Sequence, residues 1–123
     1  MRRIKHDLAD DNIDREVIER LRKMGGNELV LGLVDLYLKG NPDKMDELFQ
    51  AMKIPDFGPI QRSSHSLISS AGNLGGKLVS NLAKKIEAAA KEAKLEDIER
   101  LAGELYQANA IFMNYLQAQV SEP

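Results

Sequence analysis

Cysteine is absent from the 123 residues. That excludes disulfides and thiolate metal ligands and is compatible with a reducing compartment. Tryptophan is absent as well and aromatics make up only 5% of the chain, so the β-branched and aromatic runs that build strands are scarce. No apolar stretch approaches the roughly 20 residues needed to cross a bilayer. The opening Met1-Arg2-Arg3-Ile4-Lys5-His6-Asp7 lacks the apolar centre of a signal peptide, and a cytoplasmic location away from membranes is expected. Basic residues are not in excess: 17 Lys and Arg against 19 Asp and Glu give a formal net charge of -2, which argues against a nucleic-acid partner. The two histidines, His6 and His65, form no paired zinc motif. No metal site and no bound cofactor are expected.

What is present points to helices. Hydrophobic residues are 43% and charged residues 29% of the chain, a balance that supports one folded domain. Ala, Leu, Lys and Glu, which lose little side-chain freedom in a helix, are abundant. Six amphipathic segments follow one another. Ile13, Val17, Leu21 and Met24 mark the first, with Asp14 at its start and Gly25-Gly26 at its end. After Asn27, the positions Leu29, Leu33, Leu36 and Tyr37 mark the second, which Gly40-Asn41-Pro42 is expected to stop. Met45, Leu48, Phe49 and Met52 mark the third. Ile54 to Pro59 breaks the pattern, and Ile60, Leu67, Ala71 and Leu74 then form the stripe of a fourth. A turn at Asn73-Leu74-Gly75-Gly76 precedes a fifth, with Leu78, Leu82, Ile86, Ala89 and Ala93. Ile98, Leu101, Leu105, Ala108, Phe112 and Tyr115 mark the last. Burying all these stripes together predicts an all-α fold, an antiparallel four-helix bundle with one or two additional short N-terminal helices. Residues 13–118 are the expected domain, with a flexible segment at 1–12 and fraying at 119–123.

The fourth segment carries the feature of chemical interest. Advancing about 100° per residue gathers Ile60, Leu67, Ala71 and Leu74 on one side and turns His65 to the other. Residues three, four and seven positions away share its face: Gln61, Arg62, Ile68, Ser69, Gly72 and, where helix persists, Gly58, with Gly76 one further turn on. Most are small or polar, so a macromolecule can reach the imidazole. An idle surface histidine is the alternative that position alone leaves open.

Ser64-His65-Ser66-Leu67, followed by Ser70-Ala71-Gly72-Asn73-Leu74-Gly75, resembles the signature of histidine-containing phosphotransfer (HPt) domains, and the likeness runs from about Asp14 to Leu116. The resemblance implies phosphorelay signalling: His65 would take a phosphoryl group from a receiver-domain aspartate and pass it to another receiver aspartate. It implies a phosphoryl carrier with no ATP-dependent kinase activity of its own, whose partners are response-regulator receivers, with their own Mg²⁺, and a hybrid histidine kinase. The chain itself is expected to be monomeric. Family members commonly place Gln or Glu on the next helix to hold the second imidazole nitrogen, and the matching position is Glu87.

Imidazole suits the task because its ordinary pKa of about 6.5 leaves mostly the neutral nucleophile near pH 7. Phosphoryl transfer depends on alignment and charge compensation, which makes Arg62, Lys84 and Lys91 candidate cations and Ser69 a candidate hydrogen-bond donor. A solvated, charge-paired face is the other reading of the lysines. Gln61, Ile68, Gly72 and Gly76 are the expected receiver-docking positions. The family usually has Lys then Gly at the third and fourth positions after its histidine, where this chain has Ile68 and Ser69. Ile68 removes a cation beside the phosphoryl group or serves as an apolar contact for the receiver. The competing function is a non-catalytic helical adaptor that binds receivers without phosphotransfer.

Overall fold

The computed structural model of the chain describes residues 13–121; residues 1–12, His6 among them, and the last two residues lie outside the described residues. Four helices follow in order: α1 (Arg15–Lys53), α2 (Phe57–Gly72), α3 (Lys77–Lys91) and α4 (Leu95–Ser121). There is no strand among the described residues. Within α1 the backbone leaves helical geometry at Gly26, with φ 72° and ψ -170°, a conformation that a residue without Cβ reaches cheaply. The break divides α1 into a short arm, 15–25, and a long helix, 27–53. The long part of α1 packs on α2 and α4, and α3 closes the ring between those two. The architecture is therefore an all-α four-helix bundle with one short N-terminal arm.

The expected stop at Gly40-Asn41-Pro42 does not occur, because α1 runs through Pro42. Pro42 has no N–H for the carbonyl four residues earlier, a defect that costs a helix interior about 3 kcal/mol. Side-chain burial on both sides of it offsets that cost. Val30, Val34, Tyr37, Asn41, Met45, Leu48 and Ala51 are all buried, an unbroken helical stripe spanning the two segments that the sequence divides.

Asn41, only 2% exposed, sits in this stripe because its polar groups are paired. The Tyr37 hydroxyl donates to Asn109 Oδ1 at 2.9 Å, Asn109 Nδ2 donates to Asn41 Oδ1 at 2.7 Å, and Asn41 Nδ2 donates to the Tyr37 oxygen at 3.1 Å. This closed ring ties α1 to α4. The sequence stripes also need adjustment at their edges. Met24 and Leu36 are 77% and 70% exposed, while Ile18 is buried in place of the former. Ala93 lies outside α3 in the following turn, with φ 54°.

A tight turn closes the end of α2 and seats the N-terminal arm. At the end of α2, Gly76 N–H bonds the Ala71 carbonyl at 2.8 Å and Gly75 N–H bonds that of Gly72 at 3.1 Å, a Schellman closure that wants a left-handed residue. Gly75 supplies it, with φ 92°. The same glycine lets the N-terminal arm approach: the Asp14 N–H bonds the Gly75 carbonyl at 2.7 Å, and a Cβ on Gly75 would overlap the Asp14 carbonyl oxygen. Asp14 also caps the arm by accepting the Glu16 N–H at 3.2 Å. Farther along, the arm is fastened to α4 by Arg15 over the Tyr115 ring and by the Arg22 guanidinium on the Gln119 carbonyl.

Candidate functional site

The α2 sequence orients His65 by burying what lies behind it. Ile60, Leu67 and Ala71 are fully buried, and Ser64, though polar, is buried as well because its hydroxyl donates back to the Ile60 carbonyl at 2.7 Å. His65 is thereby turned outward with its side chain 71% exposed. Its Nδ1 lies 2.9 Å from Glu87 Oε2 on α3. The Glu87 side chain is only 20% exposed, so the carboxylate is set into the seam between the two helices while the imidazole stands out from it.

A second contact fixes how α2 and α3 are aligned. Ser80, buried on α3, donates its hydroxyl to the Ile68 carbonyl at 2.9 Å. A Cβ built on Gly72 would stand 3.4 Å from that hydroxyl, in van der Waals contact, so Ser80 packs directly beside the α2 backbone at 72. Gly72 faces Ser80 and His65 faces Glu87, each pair about two turns from the other along both helices. This antiparallel register puts Gln61 across from Lys91 and Ile68 across from Lys84.

The candidates named from sequence divide accordingly. His65, Glu87, Gln61, Ser69, Gly72, Lys84 and Lys91 border the α2–α3 seam or the outward face beside it, and Ser69, Gly72 and both lysines are exposed. Arg62 lies on the other flank, towards α1. A Cβ on Gly58 would meet its Nη1 at 3.5 Å, and it helps line a groove of about 740 Å³ with Lys44, Glu47 and Asp56.

Gly76 does not stand on the outward face beside His65: it is buried, and a Cβ there would stand 2.7 Å from the Phe112 ring. The helix ends before Gly76, which lies eleven residues on from His65, so the helical spacing that would place it beside His65 does not extend that far. Ile68 is only half-exposed, because it packs against the core at the seam, and offers a partner one edge rather than a whole side chain. Sequence reasoning missed the role of Ser80 in clamping the helices and the Tyr37–Asn41–Asn109 ring. The available signal for the latter was an Asn at a buried register position on each of two helices.

Among the described residues, no group of three His, Cys, Asp or Glu side chains is gathered as a metal site would require. None of the described helices is long and apolar enough to cross a membrane.

No curated protein matches the chain. Among solved structures, the fold is similar to that of histidine-containing phosphotransfer protein B (HptB) from Pseudomonas aeruginosa PAO1. That similarity has a TM-score of 0.84 at 19% sequence identity and covers 93% of this chain and 99% of the other. At that identity the likeness speaks for the fold. The Hpt domain family matches residues 32–111 directly in sequence, a span that contains the whole α2–α3 seam. Together with the bundle, this match shows that the chain belongs to the Hpt domain family, whose members are phosphoryl carriers of phosphorelays rather than classical enzymes.

Proposed function

We propose that the chain accepts a phosphoryl group from the aspartyl phosphate of a receiver domain on Nε2 of His65 and yields it to an aspartate of another receiver. The observation that carries this reading is the 2.9 Å contact of Nδ1 with Glu87. A carboxylate accepts only, so the nitrogen facing it carries the proton and the other ring nitrogen keeps its lone pair. That lone pair belongs to Nε2, on an imidazole whose side chain is 71% exposed.

In the forward step the Nε2 lone pair forms the N–P bond as the acyl P–O bond breaks, and that electron pair leaves with the aspartate carboxylate. The ring gains positive charge, which the Nδ1–H shares with Glu87. The reverse step onto a second aspartate uses the same geometry. Charge on the phosphoryl oxygens must be met by cations, and the receiver's Mg²⁺ supplies part of this. Of this chain's own cations, Lys91 is the best placed. Helical side chains lean towards the N-terminus of their own helix, so His65 leans towards Gln61, and Lys91, across from Gln61, leans back over Glu87. Lys84 leans away, towards Ser80. Ser69, one turn from His65 and exposed, is a further donor to a phosphoryl oxygen.

The test mixes the protein with a phosphorylated receiver and follows acid-labile, base-stable phosphate on the wild type and on His65→Ala. Label on the wild type and none on the variant is expected. Receiver binding with no label on the wild type would instead establish a non-catalytic adaptor.

A further inference from the structure

Lysine recurs at every seventh residue of α3, at Lys77, Lys84 and Lys91, and all three are exposed. A seven-residue step returns to nearly the same side of a helix, with a drift of about 20°. The three therefore form a row about 21 Å long on the edge of α3 that borders the seam holding His65 and Glu87. Among the described residues none of the three takes part in an ion pair; the pairs found involve Lys39, Lys94, Arg20, Arg100 and His65. Glu87, the acid beside the row, is occupied by His65. Across the seam, α2 offers Gln61, Ser69 and Gly72, none of them charged. The whole chain has a formal net charge of -2, so this edge reverses the sign of the molecule.

We propose that Lys77, Lys84 and Lys91 form a docking rail that selects receiver domains with carboxylates along the rim of the surface meeting His65. The proposal rests on the carrier reading of His65. A partner that brings its aspartate within bonding distance of Nε2 must cover the area around it, and an ordinary interface buries about 800 Å² per side, a disc of roughly 16 Å radius. Lys84 and Lys91 fall inside that disc. Lys77, about 15 Å along the axis from Glu87, falls at its rim, where charge governs encounter rate and choice of partner rather than the chemistry. Unpaired lysines beside an uncharged landing surface favour acidic rims and penalise basic ones.

The experiment separates loading from docking. The protein is first phosphorylated on His65 with phosphoramidate, a small donor that needs no docking surface: Nε2 forms the new N–P bond as the donor's own P–N bond breaks and ammonia departs. Transfer from the loaded chain is then timed against rising concentrations of purified receiver domains from the same genome. Lys77→Glu is compared with Lys85→Glu, an equal change of charge on the side of α3 that faces the α4 groove.

For the fastest wild-type receiver, Lys77→Glu is expected to raise the half-saturating concentration about tenfold, more than it alters the limiting rate, and to flatten the dependence on salt. Lys85→Glu is expected to leave both near wild type. Equal effects of the two variants or salt-independent transfer by the wild type would overturn the rail while leaving His65 as a phosphoacceptor; loaded protein that transfers to no receiver would overturn the carrier reading and the rail with it. Failure of phosphoramidate to label His65 would overturn the carrier reading and the rail with it.

Discussion

Replacing Glu87 with alanine removes the acceptor from Nδ1 of His65 and leaves Nε2 untouched. The two groups are 2.9 Å apart, with side-chain exposures of 71% for His65 and 20% for Glu87. A hydrogen bond to a charged group is worth about 1.5–3 kcal/mol when shielded, and solvent around the imidazole reduces this to about 1 kcal/mol. At about 1.4 kcal/mol per factor of ten, the ratio of the Nδ1–H to the Nε2–H tautomer should fall about fivefold. Labelling of His65 by phosphoramidate should slow by up to a similar factor, because only the former exposes the lone pair of Nε2. Ring ¹⁵N shifts report the tautomers directly, and the labelling rates are compared at one fixed pH. Glu87→Gln should hold the tautomer through its amide oxygen while losing the negative charge that faces the phosphorylated ring, and should fall between the two. Equal tautomer populations and equal rates in wild type and Glu87→Ala would refute the reasoning and reduce the contact to a surface pair.

The remaining expectations concern the scaffold. Tyr37→Phe leaves Asn109 Oδ1 and one Asn41 N–H without their partner and should cost about 1–3 kcal/mol in urea unfolding. Burial raises the Tyr37 hydroxyl above its ordinary 10.0, so above that pH the unfolded chain releases a proton that the folded chain retains. This contribution to stability is present below about pH 10 and lost as pH rises; the variant should show a shallower loss, and parallel curves would contradict this. Gly75→Ala, strained at φ 92° and overlapping Asp14, should free the N-terminal arm, seen as faster amide exchange at 14–25 while α2 and α3 stay protected. Pro42→Ala restores the missing N–H and should stabilise the bundle by about 1–3 kcal/mol, with a higher Tm as the readout. Ala93→Gly relieves a φ of 54° and should raise the Tm by a few degrees, about 1 kcal/mol.

Much of the fold and the site was legible in the chain itself, because burial periodicity is a property of one helix at a time. The spacing of Ile60, Leu67 and Ala71 was enough to turn His65 outward, and the glycines at 25–26 and 75 marked real changes of backbone direction. The signature around His65 indicated the family, and with it Glu87 as the partner of the imidazole.

Other features depended on two helices at once. Whether Pro42 ends a helix was decided by the burial of Tyr37, Asn41, Met45 and Leu48 against the rest of the bundle, which outweighs a local preference of about 3 kcal/mol. Gly76 looked like part of the docking face until the turn brought Phe112 against it, and Ile68 looked free until α3 packed beside it. The alignment of α3 on α2, set by the tight turn and by the fit of Ser80 against Gly72, put Glu87 beside His65 and gave Lys77, Lys84 and Lys91 a common edge next to it. A sequence fixes which face of each helix is apolar, whereas the register between helices follows from turn geometry and interlocking side chains. That register is what set an exposed histidine against a half-buried carboxylate.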